Sequence, residues 1–330
     1  MSDGRTASGR VAVLVTGYGE PEDHESFRAW NELSFRHLVQ KFARIPDAII
    51  PFLAGRAEKK VRKEWMAAGG FTSPHNEIFE SQRAGIERNL RERFGDAIEV
   101  FKAFSFTPEH LPQRVIEHIR GRGHDRLVLY PFMVVDSVYT SGVTVEQVNA
   151  ALGGGWPTDM RYLPAFDQRE EFRDRLAAHV VEGTQPLLQR FAPSQIGVIL
   201  TIHGLPVKTR GWETGFAASQ ALYEGVRDRL MTRFPLLSIG WMNHNNQPGE
   251  WTSPDVAVAA ERLITLGARA IVFAPIGFVT DNHETILDIG YLRTALEGRV
   301  ETVALTSLND DPAFLKMAAD WIAPLVEELR

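Results

Sequence analysis

Short runs of apolar residues alternate with amphipathic segments along the whole chain. The runs are rich in β-branched residues and are bounded by Gly or Pro, a pattern typical of buried β-strands. Strands are predicted at 11–17, 97–104, 126–132, 196–204, 237–242, 268–278 and 302–308. The segments between them, such as HLPQRVIEHIRGRG and PDVAVAAERLITLGA, have helical spacing and reach glycine where a helix would end. This alternation predicts an α/β fold with doubly wound, parallel sheets.

The pattern also repeats, which indicates two similar halves. Residues 112–131 resemble 254–275 in helix length, glycine cap and following strand, and VAVLVTGYGEP at 11–21 parallels VILTIHGLP at 198–206. We predict an N-terminal domain at 1–155 and a C-terminal domain at 156–311, divided at the glycine-rich stretch GGGWP. Two copies of one α/β unit would leave a cleft between them, with strand ends facing it.

Length and composition exclude several classes of protein. The 330 residues suit two domains, and a net charge of −6 argues against nucleic acid as a partner. The absence of cysteine excludes disulfides, thiolate nucleophiles, zinc–thiolate sites and iron–sulfur clusters. The start of the chain has no apolar segment, and no stretch approaches the roughly 20 apolar residues of a membrane span. We therefore expect a cytoplasmic protein, with peripheral membrane contact left open.

The stretch HGLP places His203 at the carboxyl end of a buried strand. The carboxyl end of a parallel strand is where open α/β folds bind ligands. A histidine there can accept a proton or ligate iron in its neutral form. The ordinary alternative is a histidine at the edge of the core that is hydrogen-bonded to a neighbouring loop.

A second informative stretch, PIGFVTDNHETILDIG, follows the strand predicted at 268–278. Helix capping alone would favour Thr280 or Asp281 at the start of a helix and Glu284 in its first turn. Glu284 and Asp288 are four residues apart, so a helix would place both carboxylates on one face. Like charges at this spacing destabilise a helix, and oxygen-rich paths suit hard divalent cations. The sequence thus allows a carboxylate and the imidazole of His203 to face each other.

HGLP and the downstream FVTDNHETILDI together resemble the signatures of the ferrochelatases, which insert ferrous iron into a porphyrin. The similarity extends along nearly the whole chain and includes GGFTSPHNEIFESQ at 69–82, NQPGEWTSPD at 246–255 and LNDDPAF at 308–314. Each motif is weak alone, but five motifs in the order of the family are strong evidence. The resemblance implies two Rossmann-like domains, with the C-terminal helix at 312–330 packing back on the first.

The resemblance also implies an active site and its substrates. His203 and Glu284 would be catalytic, and His203, Glu284 and Asp288 would meet the metal. Ferrous iron would be a substrate, and no prosthetic group is expected. The porphyrin, protoporphyrin IX or coproporphyrin III, would be the other partner of a monomeric enzyme of heme biosynthesis. The residues expected to contact it are Tyr18, Ser73, Pro74, Trp251, Phe278 and Asn282.

Several positions depart from the family pattern and keep alternatives open. Asn282 stands where the family motif has histidine, and His283 is displaced by one residue, about 100° around a helix. Asn243 and His244 replace the Gln-Ser before the tryptophan loop, and the segment after Pro131 is longer than usual. A cobalt or nickel chelatase for another tetrapyrrole and a non-catalytic tetrapyrrole carrier are the alternatives. A nucleotide-binding enzyme is disfavoured because no glycine-rich phosphate loop follows any predicted strand.

Overall fold

The structure is a computed structural model that describes residues 10–41, 43–207, 213–242 and 250–330. Its strands are β1 (Val11–Gly17), β2 (Ile98–Phe104), β3 (Arg126–Pro131), β4 (Asp159–Tyr162), β5 (Ile196–His203), β6 (Leu236–Met242), β7 (Ala270–Pro275) and β8 (Glu301–Ala304). Its α-helices are α1 (Phe27–His37), α2 (Ile50–Ala67), α3 (His75–Phe94), α4 (Pro112–Gly121), α5 (Ser141–Ala151), α6 (Glu170–Leu188), α7 (Phe216–Leu230), α8 (Val256–Thr265), α9 (Ile289–Leu296) and α10 (Pro312–Leu329). A π-helix, Glu284–Asp288, directly precedes α9.

The strands form two parallel sheets with the same topology. The first sheet has the order β2-β1-β3-β4 and the second β6-β5-β7-β8. Neighbouring strands are parallel in both sheets, so each connection crosses over through a helix. This confirms the predicted α/β class with two doubly wound sheets.

Strand β4 is the one strand of the described residues that the hydrophobic pattern did not predict. Its sequence, DMRY, contains two charged residues, and none of its four residues is buried. It lies at the edge of its sheet beside β3. An edge strand needs few apolar residues, so its sequence carries little of the signal by which central strands are recognised.

The chain forms two compact units. Unit 1 comprises the residues up to Met133, then Tyr139–Ala165 and Asp310–Arg330, and unit 2 comprises Val134–Val138 and Phe166–Asn309. The chain passes between the units around 134–138, at 165–166 and at 309–310, whereas the prediction placed one division near 153–157 and returned the helix at 312–330 to the first domain. The short segment Val134–Val138 belongs to unit 2 because it packs on the turn at Gly215, where an added Cβ would lie 2.9 Å from Val135.

Helix α10 is part of unit 1, where it packs against α3. A Cβ at Gly85 of α3 would lie 2.5 Å from a methyl group of Leu315, so this glycine allows the two helices to approach closely. The ring of Phe314 stacks on that of Phe132 with 5.5 Å between centroids. These contacts fix the C-terminal helix on the unit that contains β1.

The core of unit 2 holds its central strands in place. Strands β5 and β7 are almost completely buried and contribute Ile199, Ile271 and Phe273 to one cluster with residues of α8 and α9. Because both strands are packed along their length, the residues at and after their carboxyl ends are held in defined positions. Those residues include His203 and the segment that leads to Glu284.

Candidate active site

His203 is the last residue of β5, the second strand of its sheet, between β6 and β7. The turn after it is held by hydrogen bonds to two neighbouring segments. Gly204 N–H donates to the carbonyl of Met242 at 2.8 Å, and Leu205 N–H donates to Thr252 Oγ1 at 3.0 Å. Thr252 N–H returns a bond to the carbonyl of Leu205 at 2.9 Å. The imidazole therefore projects from a well-anchored turn, and its side chain is 44% exposed.

The segment that carries Glu284 starts from the neighbouring strand β7. Ile276 and Gly277 donate their backbone N–H groups to the carbonyl of Thr201, at 3.0 and 3.2 Å. A Cβ at Gly277 would lie 3.1 Å from the Cα of Ile202, so glycine lets this turn run close against the end of β5. The chain then enters the π-helix, whose first residue is Glu284. Both candidate catalytic residues thus lie at the carboxyl edge of one sheet.

His203 and Glu284 form a direct pair. Nδ1 of His203 lies 3.0 Å from Oε2 of Glu284, whose side chain is 10% exposed. An ionised carboxylate accepts a hydrogen bond from Nδ1–H, which leaves the lone pair on Nε2. Nε2 makes no hydrogen bond to any described residue. The pair therefore presents one basic nitrogen of fixed tautomer, which can accept a proton or bind a metal ion.

The charges around His203 make its imidazole more basic. Burial lowers the pKa of His203, but the carboxylate of Glu284 raises it through both its charge and its hydrogen bond. His283 opposes this effect and Asp288 adds to it, and the pKa of His203 is raised overall. The carboxylates of Glu284 and Asp288 thus both stabilise the protonated imidazole.

Asp288 is the last residue of the π-helix and is half-buried. Its charge acts on His203, but no group of three His, Asp or Glu side chains within the described ranges could hold a metal ion. His203, Glu284 and Asp288 therefore do not form a preformed three-ligand site. A π-helix widens the turn relative to the α-helix assumed from the sequence, which changes the relative direction of residues four apart.

Asn282, at the position where the family motif has histidine, is buried and pairs with Thr285. Asn282 N–H donates to Thr285 Oγ1 at 3.0 Å, and Thr285 N–H donates to Asn282 Oδ1 at 3.0 Å. This reciprocal pair has the form of a capping box, and it involves neither Thr280 nor Glu284 as helix physics alone had favoured. Asn282 thus binds the backbone next to Glu284.

Two of the predicted aromatic contacts lie in unit 2. Trp251 forms an antiparallel bridge with Pro206 in the turn that follows His203. Phe278 is partly buried and packs against the cluster that contains Ile199 and Met242. The structure therefore brings Trp251 to the His203 turn, whereas Phe278 contributes to the core. Asn243 and His244 lie outside the described residues.

The remaining predicted residues lie in unit 1. Tyr18 follows β1 and packs its ring on Phe106 with 5.3 Å between centroids. Ser73 is buried and donates its hydroxyl to Oε2 of Glu20 at 2.5 Å. Pro74 is the residue before α3. Ser73 is therefore bound to the loop that carries Tyr18.

Sequence reasoning gave no role to two residues that the structure places beside this site. Thr252 anchors the His203 turn through its hydroxyl group. Asn309 hydrogen-bonds Asp281, just ahead of the π-helix. Asn309 belongs to the LNDDPAF motif, so its position was conspicuous in the sequence, but a contact over 28 residues cannot be read from local spacing.

The sequence model of the ferrochelatase family matches residues 10–325. The chain belongs to the ferrochelatase family. It is 25% identical to the ferrochelatase of Synechococcus elongatus over 98% of this chain and 84% of that protein. It is 26% identical to the ferrochelatase of Geobacter metallireducens over 96% of this chain and 98% of that protein. The predicted class of enzyme, a metal chelatase that inserts ferrous iron into a porphyrin for heme biosynthesis, is confirmed.

The fold agrees with a solved structure as well. The crystal structure of DR2241 from Deinococcus radiodurans, described as a multi-domain protein with structural similarity to chelatases, matches with a TM-score of 0.51 and 12% identity. The match covers 98% of this chain and 56% of DR2241, so the chain spans little more than half of that protein. Within the described part of this ferrochelatase-family chain, no helix is long and apolar enough to cross a membrane.

Proposed function

We propose that His203 is the residue of this ferrochelatase-family enzyme that accepts a pyrrole proton while ferrous iron enters the porphyrin. The observation that carries the proposal is the 3.0 Å contact between Nδ1 of His203 and Oε2 of Glu284 at the end of β5. It leaves Nε2 as the basic atom and raises the pKa of the imidazole after burial has lowered it.

The reaction itself requires such a base. Insertion of a divalent metal replaces two N–H protons of the macrocycle, so each turnover releases two protons. His203 accepts a proton at Nε2, and the Glu284 carboxylate stabilises the imidazolium that forms. The proton then leaves to solvent, since the imidazole is 44% exposed. The same Nε2 in its neutral form is a ligand that suits ferrous iron.

Glu284 and Asp288 are the acidic part of the proposed site. They attract a cation toward His203 or carry protons away from it, and both roles need the negative charge that acts on His203. No three acidic or histidine side chains within the described ranges form a metal site, and in this proposal iron passes through the site as a substrate and is not held as a resident cofactor.

Roles in porphyrin binding remain predictions. Trp251, beside the His203 turn, is proposed as an aromatic wall for the macrocycle. Asn282 and Phe278 are proposed to act by shaping the loop between β7 and the π-helix. Tyr18, Ser73 and Pro74 stay predicted porphyrin contacts from unit 1.

The test offers the purified protein protoporphyrin IX and coproporphyrin III, each with ferrous, cobalt or zinc ions under anaerobic conditions. Metallation is followed by the porphyrin absorbance spectrum. We expect iron insertion into one of the two porphyrins. Cobalt insertion with no iron insertion would favour the chelatase of another pathway, and binding without metallation would favour a carrier.

A further inference from the structure

Asn309 has an unusual backbone conformation. Its φ is +48°, and it is the single non-glycine residue with a positive φ in the described part of the chain. Asparagine tolerates this left-handed region better than most residues, but the conformation is uncommon and persists where surrounding contacts determine it. The contacts that hold Asn309 therefore indicate what the conformation serves.

Three hydrogen bonds join Asn309 to the segment Val279–Asp281. Asn309 N–H donates to the carbonyl of Val279 at 2.9 Å. The Asn309 side chain then makes two bonds to Asp281: Oδ1 accepts the Asp281 N–H at 2.8 Å, and Nδ2 donates to Asp281 Oδ2 at 2.8 Å. One asparagine thus fixes both the backbone and the carboxylate of Asp281.

Asp281 in turn contacts residues next to Glu284. Its Oδ1 accepts the N–H of Ser307 at 2.7 Å and lies 3.3 Å from the hydroxyl of Thr285. Thr285 is the residue after Glu284, and it also forms the reciprocal pair with Asn282. Asp281, Thr285 and Ser307 are all buried, so these bonds are shielded from water.

We propose that Asn309 is a positioning residue for metal insertion, which acts through Asp281 and Thr285 to hold the start of the π-helix so that Glu284 stays against His203. The inference rests on the function proposed for His203 and Glu284. It gives the LNDDPAF motif a role, because this motif supplies the asparagine that reaches Asp281 over 28 residues of sequence. Asn309 itself touches neither reactant and is not a catalytic residue.

The charges of the contact allow a matched test. In Asn309→Asp, two carboxylates face each other, and in Asp281→Asn an amide replaces the carboxylate that accepts several donors. The double variant D281N/N309D exchanges amide and carboxylate, so every hydrogen bond named above can form again. Only the bond between the two side chains is reversed, with residue 281 as the donor. We expect kcat to fall by about 10- to 100-fold in each single variant and to recover largely in the double variant.

A control variant separates positioning from a general loss of stability. Asp311→Ala removes the helix cap of α10, where Asp311 accepts the N–H of Phe314 at 2.8 Å, and leaves Asp281 untouched. All variants are assayed well below their melting temperatures, with KM measured for the porphyrin and for the metal. We expect Asp311→Ala to lower the melting temperature while kcat stays at the wild-type value. The Asn309→Asp variant should lose kcat with little change in KM for the porphyrin.

A spectroscopic readout tests the inference without turnover. The ¹⁵N chemical shifts of the His203 imidazole report its hydrogen bond to Glu284. They should move in Asn309→Asp toward those of Glu284→Gln and return in the double variant. If kcat and these shifts in Asn309→Asp match those of Asp311→Ala, or if the double variant recovers neither, the inference is overturned. If the wild-type protein inserts no metal, the proposed function fails, and the shifts still decide whether Asn309 positions Glu284.

Discussion

Tyr18 and His203 occupy equivalent positions in two sheets of the same topology. Thr16 of β1 pairs with Pro131, and Thr201 of β5 pairs with Pro275, in each case the last residue of the neighbouring strand. The carbonyls of both threonines accept an N–H from the residue after that proline, at 2.8 and 3.0 Å. Two residues beyond each threonine stand Tyr18 and His203. The repeat visible in the sequence therefore ends in two different side chains, both of which were predicted to lie in the site.

The comparison shows that the sheet supplies a position and the next loop supplies the chemistry. In both units an asparagine side chain anchors a loop at this edge of the sheet. Asn76 binds the backbone N–H and carbonyl of Glu20, and Asn309 binds Asp281. In unit 2 the loop brings a carboxylate to His203, whereas in unit 1 the side chain of Tyr18 packs on an aromatic ring. A buried carboxylate beside an imidazole produces a base, and a ring beside a phenol produces an apolar surface.

The largest expected effect is that of replacing His203, with a substitution of the equivalent Tyr18 for comparison. His203→Ala removes the proposed proton acceptor and should lower kcat by at least about 10²-fold, the usual size of general-base catalysis. Tyr18→Phe keeps the ring that packs on Phe106 and should lose far less. Both variants are assayed by porphyrin absorbance and checked by circular dichroism. Near wild-type metallation by a folded His203→Ala protein would remove the proposal for His203.

Glu284→Gln should have the next largest effect and has a defined sign. The side chain keeps its shape but loses the charge that raises the pKa of His203, so the pKa of His203 should fall. We expect kcat/KM to drop by about 10- to 100-fold, as for other groups that orient a functional histidine. An NMR titration of the histidines measures the shift.

His110 is an internal reference for this titration. Its pKa is lowered mainly by burial, it belongs to unit 1, and the substitution should not change it. A pKa of His203 that stays constant or rises in Glu284→Gln would contradict the role of the 3.0 Å contact.

Asp288→Asn should change the metal requirement more than the chemical step. Asp288 is half-buried and acts on His203 through its charge, so the loss should raise KM for ferrous iron by about three- to tenfold with most of kcat retained. Glu297→Gln removes an exposed charge just after α9 and is the charge-matched control. If the iron dependence of Asp288→Asn equals that of the control, Asp288 is not part of a cation path.

The sequence predicted the fold well because buried strands have a strong local pattern. The runs at 11–17 and 196–204 correspond to β1 and β5 with at most one residue of difference, and His203 was placed at a strand end. Strand β4 was missed because an exposed edge strand lacks that pattern. The repeat correctly indicated that the two sheets share one topology.

The site was less accessible to sequence reasoning because its contacts are long-range. His203 and Glu284 are 81 residues apart, and their pairing was raised only because both follow strands of one half. The π-helix and the Asn309–Asp281 contact depend on hydrogen bonds that no local spacing encodes. Asn282 is an example: the sequence shows only that it departs from the family motif, whereas the structure shows that its side chain accepts the backbone N–H of Thr285.

The smallest predicted effect tests whether the two sheet edges are also alike two residues before Tyr18 and His203, at Thr16 and Thr201. The hydroxyl groups of Thr16 and Thr201 are buried and have no hydrogen-bond partner among the described residues. A buried hydroxyl without a partner costs free energy, so Thr16→Val and Thr201→Val should each stabilise the protein by about 1 kcal/mol. Thr184→Val is the control, because its hydroxyl is bound to the carbonyl of Val181 at 2.9 Å and the substitution should destabilise. Thermal unfolding measures the stability of all three variants. If Thr16→Val and Thr201→Val change the free energy of unfolding in opposite directions, the two threonine side chains have different environments despite their shared register.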